Sequence, residues 1–200
     1  MQMGGRNISY SELHGGPAPR ILVLAGPNGS GKSTVTKKIP PVGLYVNADQ
    51  IQRNKGCSSL EAAQEAEQVR NILLDAKADF TFETVLSTDR NLALLRRAKE
   101  AGYQIIAVFV LTKDPRINVE RVKARVQGGG HDVPAEKIVS RYEKSLQNLK
   151  HLIRIADYTK VLDNSGETPS LICEVSGTSA TVRPSQYWSK SEILDLIYLK

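Results

Sequence analysis

Residues 21–25, Ile-Leu-Val-Leu-Ala, run directly into Gly26-Pro27-Asn28-Gly29-Ser30-Gly31-Lys32-Ser33, with Thr34 next. A short apolar run of this kind reads as a strand buried on both faces. The glycine-rich turn after it has the form G-x-x-x-x-G-K-[ST], a phosphate-binding loop. Each position has a chemical reason. Glycines let backbone N–H groups turn inward around phosphate oxygens, where a Cβ obstructs the turn or the ligand. The helix that follows presents unpaired N–H groups and the positive end of its dipole. Lys32 reaches the β- and γ-phosphates, and the Ser33 hydroxyl ligates Mg²⁺. Gly26 through Thr34 are therefore the expected nucleotide-binding residues, with ATP and Mg²⁺ as cofactors. A chance match is the alternative, and a strand before the motif with a helix after it argues against one.

Working outward, residues 33–39 read as that helix, stopped by Pro40 and Pro41. Residues 44–46 form a second strand. Over 58–77, Ala62, Ala66, Val69, Leu73 and Ala76 recur at spacings of three and four, the mark of an amphipathic helix. Ser58 and Glu61 open it with a capping box. A strand at 80–83 precedes a helix over 89–101 that Gly102 ends. Residues 105–111, IIAVFVL, are the clearest buried strand. Helices follow over 115–126, broken by Gly128-Gly129-Gly130, and over 135–155, where Ile138, Tyr142, Leu146, Leu149 and Ile153 share a face. Val161-Leu162 and 171–175 read as late strands and 189–196 as a last helix. Strands alternating with helices predict an α/β fold, a doubly wound and mostly parallel sheet with helices on both faces. Residues 20–200 are expected to form one domain. Residues 1–19, rich in Gly, Ser and Pro and lacking the apolar centre of a signal peptide, read as a flexible lead-in.

Composition narrows the function classes. Among 200 residues, 40% are apolar and 24% charged, ordinary for a soluble globular protein. The two cysteines, Cys57 and Cys173, form no metal spacing or disulfide framework, which suits a reducing cytoplasm. No apolar run of membrane-spanning length occurs. His14, His131 and His151 are too scattered for a ligand set. The net charge of +6 suits a handler of polyanionic nucleotides as well as a nucleic-acid binder. The aromatic residues, however, sit at core spacing and form no base-stacking stripe, so nucleic acid is not the expected partner.

Nucleotide binding alone does not choose a reaction. Asp49 lies just past the second strand, at the edge where open α/β sheets bind ligands. It either accepts the proton of an attacking hydroxyl, as a kinase requires, or caps a short helix near residues 50–54. Glu83 follows a strand and suits a substrate hydroxyl or a Mg²⁺-bound water, or is simply a surface acid. The strand at 105–111 runs into Thr112 and Lys113 before its first acid, Asp114, so it supplies no Walker B carboxylate. That counts against a motor-type ATPase. Residues 115–141 read as a lid in which Arg121 and Arg125, four apart, share a helical face, with Arg141 on the next helix. Guanidinium groups over the phosphates neutralise transition-state charge and exclude water.

Taken in order, these motifs resemble the zeta toxin family of bacterial kinases. The likeness is carried by the phosphate loop from Ala25 to Thr34, Asn47-Ala48-Asp49, and Phe82-Glu83-Thr84-Val85-Leu86-Ser87. It continues through Ala101-Gly102-Tyr103, Arg121 and Arg125, Gly129-Gly130-His131-Asp132-Val133-Pro134, and Arg141-Tyr142 with Ser145 and Asn148. Asp157 and Asp163-Asn164-Ser165 close it. The resemblance implies ATP-dependent phosphorylation of a small-molecule hydroxyl, typically on the sugar of UDP-N-acetylglucosamine. It gives Lys32 and Ser33 the phosphate and Mg²⁺ positions and Asp49 the activation of the hydroxyl. Glu83 and Thr84 become the substrate side, and the three arginines the lid. It also implies an antitoxin as partner, although no antitoxin segment or appended domain is expected within these 200 residues. An ATPase switch, and kinases of a nucleoside, dinucleotide, antibiotic or polynucleotide end, are the competing readings.

Overall fold

The computed structural model describes residues 17–130 and 132–198. The expected lead-in up to residue 16, His14 and His131 therefore lie outside the described residues. Seven strands are present: β1 (Arg20–Ala25), β2 (Leu44–Val46), β3 (Phe80–Thr84), β4 (Gln104–Leu111), β5 (Tyr158–Asp163), β6 (Ser170–Ser176) and β7 (Ser179–Val182). The helices are α1 (Lys32–Thr36), α2 (Ala48–Lys55), α3 (Ser59–Asp75), α4 (Arg90–Glu100), α5 (Pro115–Gln127), α6 (Ala135–Ile155) and α7 (Lys190–Ile197). The strands form one sheet in the order β2-β3-β1-β4-β5-β6-β7. β1 to β5 run parallel, and β6 and β7 complete the sheet antiparallel. The α/β architecture is the expected one.

Period-two alternation sorts the strand residues between two cores. Ile21, Val23 and Ala25 of β1, with Ile105, Ala107, Phe109 and Leu111 of β4, face the larger one. Ala66 and Leu74 of α3, Leu92, Leu95 and Ala98 of α4, Leu149 and Leu152 of α6, and Ile193 and Ile197 of α7 pack there. The alternate residues, Leu22, Leu24, Val108 and Val110, meet Val35 of α1 in a smaller cluster. Both faces are covered, but unequally. In β3 the same alternation sends Phe80 and Phe82 into the large core and leaves Thr81 and Glu83 on the α1 side.

Local chemistry sets the helix ends. Ser58 accepts from the Glu61 amide, and the Glu61 carboxylate accepts from the Ser58 amide, the capping box expected for α3. Ser189 and Glu192 repeat the device at α7. Asp114 caps α5 through the Arg116 amide, with Pro115 in its first turn. α1 ends at Thr36, short of the predicted residue 39, but turn bonds from the Lys38 and Ile39 amides carry the chain that far.

Beyond residue 166 the chain adds a strand the sequence pattern did not signal. β7 returns along β6 across a two-residue turn at Gly177-Thr178, with Gly177 at φ +56°. Its four residues alternate only between exposed and half-buried, so the usual apolar cue is missing. This C-terminal part contributes Ile172, Cys173, Val175, Trp188, Ile193 and Ile197 to the large core.

Candidate active site

The functional candidates gather because the parallel strands all end on one edge. The phosphate loop leaves β1, Asn47 and Asp49 leave β2, Glu83 and Thr84 end β3, Thr112 leaves β4 and Asn164 leaves β5. β1 lies between β3 and β4, where the chain reverses its winding direction and opens the crevice that ligands enter in such sheets.

The loop is clamped from outside. Gly26 has φ +141°, and a Cβ there would sit 2.0 Å from the Val110 carbonyl oxygen. Gly31, at φ +87°, leaves room for Asn164, whose Nδ2 donates to the Ser30 carbonyl at 2.8 Å. From the other side Asn118 of α5, fully buried, donates to the Asn28 carbonyl at 2.6 Å. Its Oδ1 accepts from the Thr112 hydroxyl, and the Thr112 carbonyl accepts from Tyr142 of α6 at 2.6 Å. A braced chain of polar groups thus links α5, α6 and the ends of two strands to the loop. Among the described residues, no backbone acceptor pairs with the amides of Gly29, Gly31, Lys32 and Ser33.

Lys32 folds back over the loop, its Nζ donating to the carbonyls of Gly26 at 2.6 Å and Pro27 at 2.9 Å. Burial pulls its ammonium down from the usual 10.5 to about 8. Glu83 and Asp49 pull the other way, and Arg125 adds to the lowering.

A cleft of 540 Å³ opens beside the loop. It is bordered by Asn28, Gly29, Gly31, Lys32, Ser33 and Thr34, by Asp49, by Glu83 and Thr84, and by Arg121, Arg125 and Arg141. Of the expected site residues, Gly26, Pro27 and Ser30 do not border it. The first two accept from Lys32, and Ser30 is fully buried.

Asp49 does not cap α2. That role belongs to Asn47, whose Oδ1 accepts from the amides of Asp49 at 2.9 Å and Gln50 at 3.3 Å. The cap reading fails because the helix begins at Ala48, earlier than expected, which places Asp49 inside the first turn.

Glu83 is no loose surface acid. Its Oε1 accepts from the Tyr45 hydroxyl and from Thr36 of α1 at 3.3 Å, and Asn47 donates to Tyr45 at 3.0 Å. Burial first, then the Glu83 carboxylate, push the Tyr45 phenol up to about 12, so it stays a donor. A hollow of 320 Å³ lies against this cluster and shares Ser33 and Glu83 with the cleft.

The Thr84 hydroxyl accepts from the Leu86 amide at 2.9 Å and from Asn91 at 2.8 Å. Leu86 holds φ +58°, a strained conformation for a leucine, and Asn148 donates to its carbonyl at 2.9 Å. The turn after β3 is thereby fixed against α4 and α6.

Arg121 donates to the Gly166 carbonyl at 3.3 Å while its other terminal nitrogen, Nη1, is buried without a partner. Arg116, also in the expected lid, pairs with Asp114 on the exposed side. Sequence reasoning missed Tyr45, Asn118 and Arg70, which also borders the cleft, and placed Asn164 in the family motif without a role.

Comparison with known proteins agrees with this arrangement. Residues 44–171 match the Zeta toxin family. An uncharacterized protein of Haemophilus influenzae is 26% identical over 129 residues, 62% of this chain and 92% of that protein. The fold is similar to AvrRxo1-ORF1:-ORF2 crystallised with ATP, at TM-score 0.67 and 16% identity, over 95% of this chain. This chain spans 66% of that one. It is also similar to a structure from the PezAT chromosomal toxin–antitoxin system of Streptococcus pneumoniae, at TM-score 0.59 and 16% identity, covering 90% of this chain and 83% of that one. With the match covering well over half of its length, the chain belongs to the Zeta toxin family.

Proposed function

We propose that the protein is an ATP-dependent kinase that moves the γ-phosphoryl group to a hydroxyl of a small molecule. The observation that carries this reading is one cleft bordered at once by the phosphate loop, the Asp49 and Glu83 carboxylates and three arginines. The loop fits a polyphosphate, because among the described residues the amides of Gly29, Gly31, Lys32 and Ser33 have no backbone acceptor and the half-buried Lys32 ammonium donates to the Gly26 and Pro27 carbonyls. Phosphates replace those carbonyls as its partners. The Ser33 hydroxyl would hold a Mg²⁺ ion, which would supply positive charge to offset that of the phosphates.

Within this reading Asp49 takes the proton of the acceptor hydroxyl as its oxygen attacks the γ-phosphorus, and ADP leaves. Glu83, oriented by Tyr45 and Thr36, holds the acceptor side together with Thr84. Arg121, Arg125 and Arg141 offset charge on the transferring group, the main work of a phosphoryl-transfer site. The acceptor we favour is a nucleotide sugar such as UDP-N-acetylglucosamine, on the family resemblance. An antitoxin is the protein partner to expect, because the PezAT structure is of a toxin–antitoxin system. The cytoplasm, where ATP and nucleotide sugars are at hand, is the fitting location. No described helix is long and apolar enough to cross a membrane.

The test compares ATP turnover with and without candidate acceptors. The kinase reading expects slow hydrolysis alone and fast acceptor-dependent turnover, lost in Asp49→Asn with ATP affinity retained. Rapid hydrolysis that no acceptor alters would instead favour a conformational ATPase switch.

A further inference from the structure

Among the described residues, the buried Arg70 has no ion-paired carboxylate. It lies on α3 and keeps 7% of its surface exposed. Its Nε is buried with no hydrogen-bond partner, and its guanidinium stacks 5.2 Å from the centre of the Phe82 ring. The nearest acid on its own helix, Glu67, is spent on Arg90 at 3.1 Å. A buried charge is normally paired, since taking it from water without compensation is costly. Burial pulls the guanidinium below its usual range, with Glu67 opposing and Arg90 assisting.

Arg70 borders the cleft, as do Ala63, Ala66 and the turn after β3. A second orphan, on α4, borders the same cleft. Asn91 donates to Thr84, but its Oδ1 is buried and accepts nothing. The phosphate loop forms a different part of the wall and has its own cation, Lys32. Lys32 and the lid arginines therefore border the cleft together with Arg70 and Asn91, whose buried Nε and Oδ1 have no partner among the described residues.

We propose that Arg70 is the anchor for an oxyanion of the acceptor, a phosphate ester or a carboxylate, while Asn91 Oδ1 accepts from an N–H or O–H of the same molecule. This rests on the kinase reading for the word acceptor, but the anion site stands on its own geometry. A guanidinium presents a planar fork of donors that matches such an oxyanion two bonds at a time. The missing partner in the free protein is then the substrate's own charge. Neutral sugars and alcohols would leave Arg70 unpaired and bind poorly, so the site selects anionic acceptors.

The experiment measures UDP binding calorimetrically to protein saturated with AMP-PNP and Mg²⁺, for wild type, Arg70→Gln and Arg70→Lys. N-acetylglucosamine serves as the uncharged control, and a carboxylate sugar, glucuronic acid, separates the two oxyanion sources. The expected result is a UDP or glucuronate affinity that falls at least 10-fold in Arg70→Gln and recovers in part in Arg70→Lys. AMP-PNP affinity should stay within about 2-fold, and N-acetylglucosamine should bind weakly to all three. Thermal melting of the free proteins guards against a merely structural role: Arg70→Gln should melt no lower than wild type, because an unpaired charge has gone.

The proposal is overturned if neither anion binds wild type, if Arg70→Gln binds both as wild type does, or if the variant melts well below wild type. It is equally overturned if AMP-PNP affinity falls with the substitution, which would assign Arg70 to the nucleotide. Failure of AMP-PNP to bind at all would remove the kinase reading, while dependence of anion binding on Arg70 would still be read from the same variants.

Discussion

Replacing Lys32 with methionine should stabilise the nucleotide-free protein while abolishing its response to ATP. The folded state holds the Lys32 ammonium at about 8 against 10.5 in the unfolded chain, mainly through burial. At about 1.36 kcal/mol per pKa unit, the native state carries roughly 3 kcal/mol of unfavourable charge burial at neutral pH. The side chain borders an open cleft, so water screens part of this, leaving about 2–3 kcal/mol. Losing the two hydrogen bonds to Gly26 and Pro27 offsets about 1 kcal/mol. The net gain is about 1–2 kcal/mol, or roughly 2–8 °C in Tm for a chain of this size.

The pH dependence supplies an independent signature. Because the folded pKa is the lower one, the unfolded chain binds more protons between pH 8 and 10.5. Lys32 therefore adds stability as pH rises through that window, and its burden is full at and below neutrality. The advantage of the methionine variant should be largest at pH 7 and shrink toward pH 10.5. Thermal melting of both proteins from pH 6.5 to 10.5, with and without ATP–Mg²⁺, reads both effects. A variant less stable than wild type at pH 7, or an advantage that does not change with pH, would refute the reasoning.

Other outcomes follow from the clamps around the loop. Gly26→Ala puts a Cβ against the Val110 carbonyl at a φ foreign to alanine and should cost about 2–5 kcal/mol in urea unfolding. Asn118→Ala removes the brace between Thr112 and the Asn28 carbonyl, at about 1–3 kcal/mol, and should weaken ATP binding measured by calorimetry. Tyr45→Phe takes a donor from Glu83 at a stability cost of about 1 kcal/mol, and steady-state kinetics should show its larger effect on acceptor KM rather than on ATP.

What could be read in advance depended on the range of the interaction. The phosphate loop is legible because its function is encoded in eight consecutive residues, and the strands through their apolar runs. The capping box at Ser58 was equally local. The braces were not, since Asn118 and Asn164 lie 90 and 134 residues from the loop carbonyls they hold. Arg70 was hidden by the pattern itself: on α3, Ala62, Ala66 and Leu74 share its buried face, and a charge there reads as the polar side of the helix. β4, one strand beside β1, ends at Leu111 and runs into Thr112 with no acid. The other neighbour is β3, whose Glu83 is tied to Tyr45 and α1 through contacts no spacing encodes.

The most direct test of the account incubates the protein with ATP, Mg²⁺ and a panel of hydroxyl-bearing metabolites. UDP-N-acetylglucosamine and neutral sugars belong on the panel, phosphate addition is followed by mass spectrometry, and Lys32→Ala is the control. One phosphoryl group should be added to an anionic acceptor such as the nucleotide sugar, and none in the control. ATP hydrolysis with no phosphorylated acceptor anywhere in the panel, or transfer undiminished by Lys32→Ala, would contradict it.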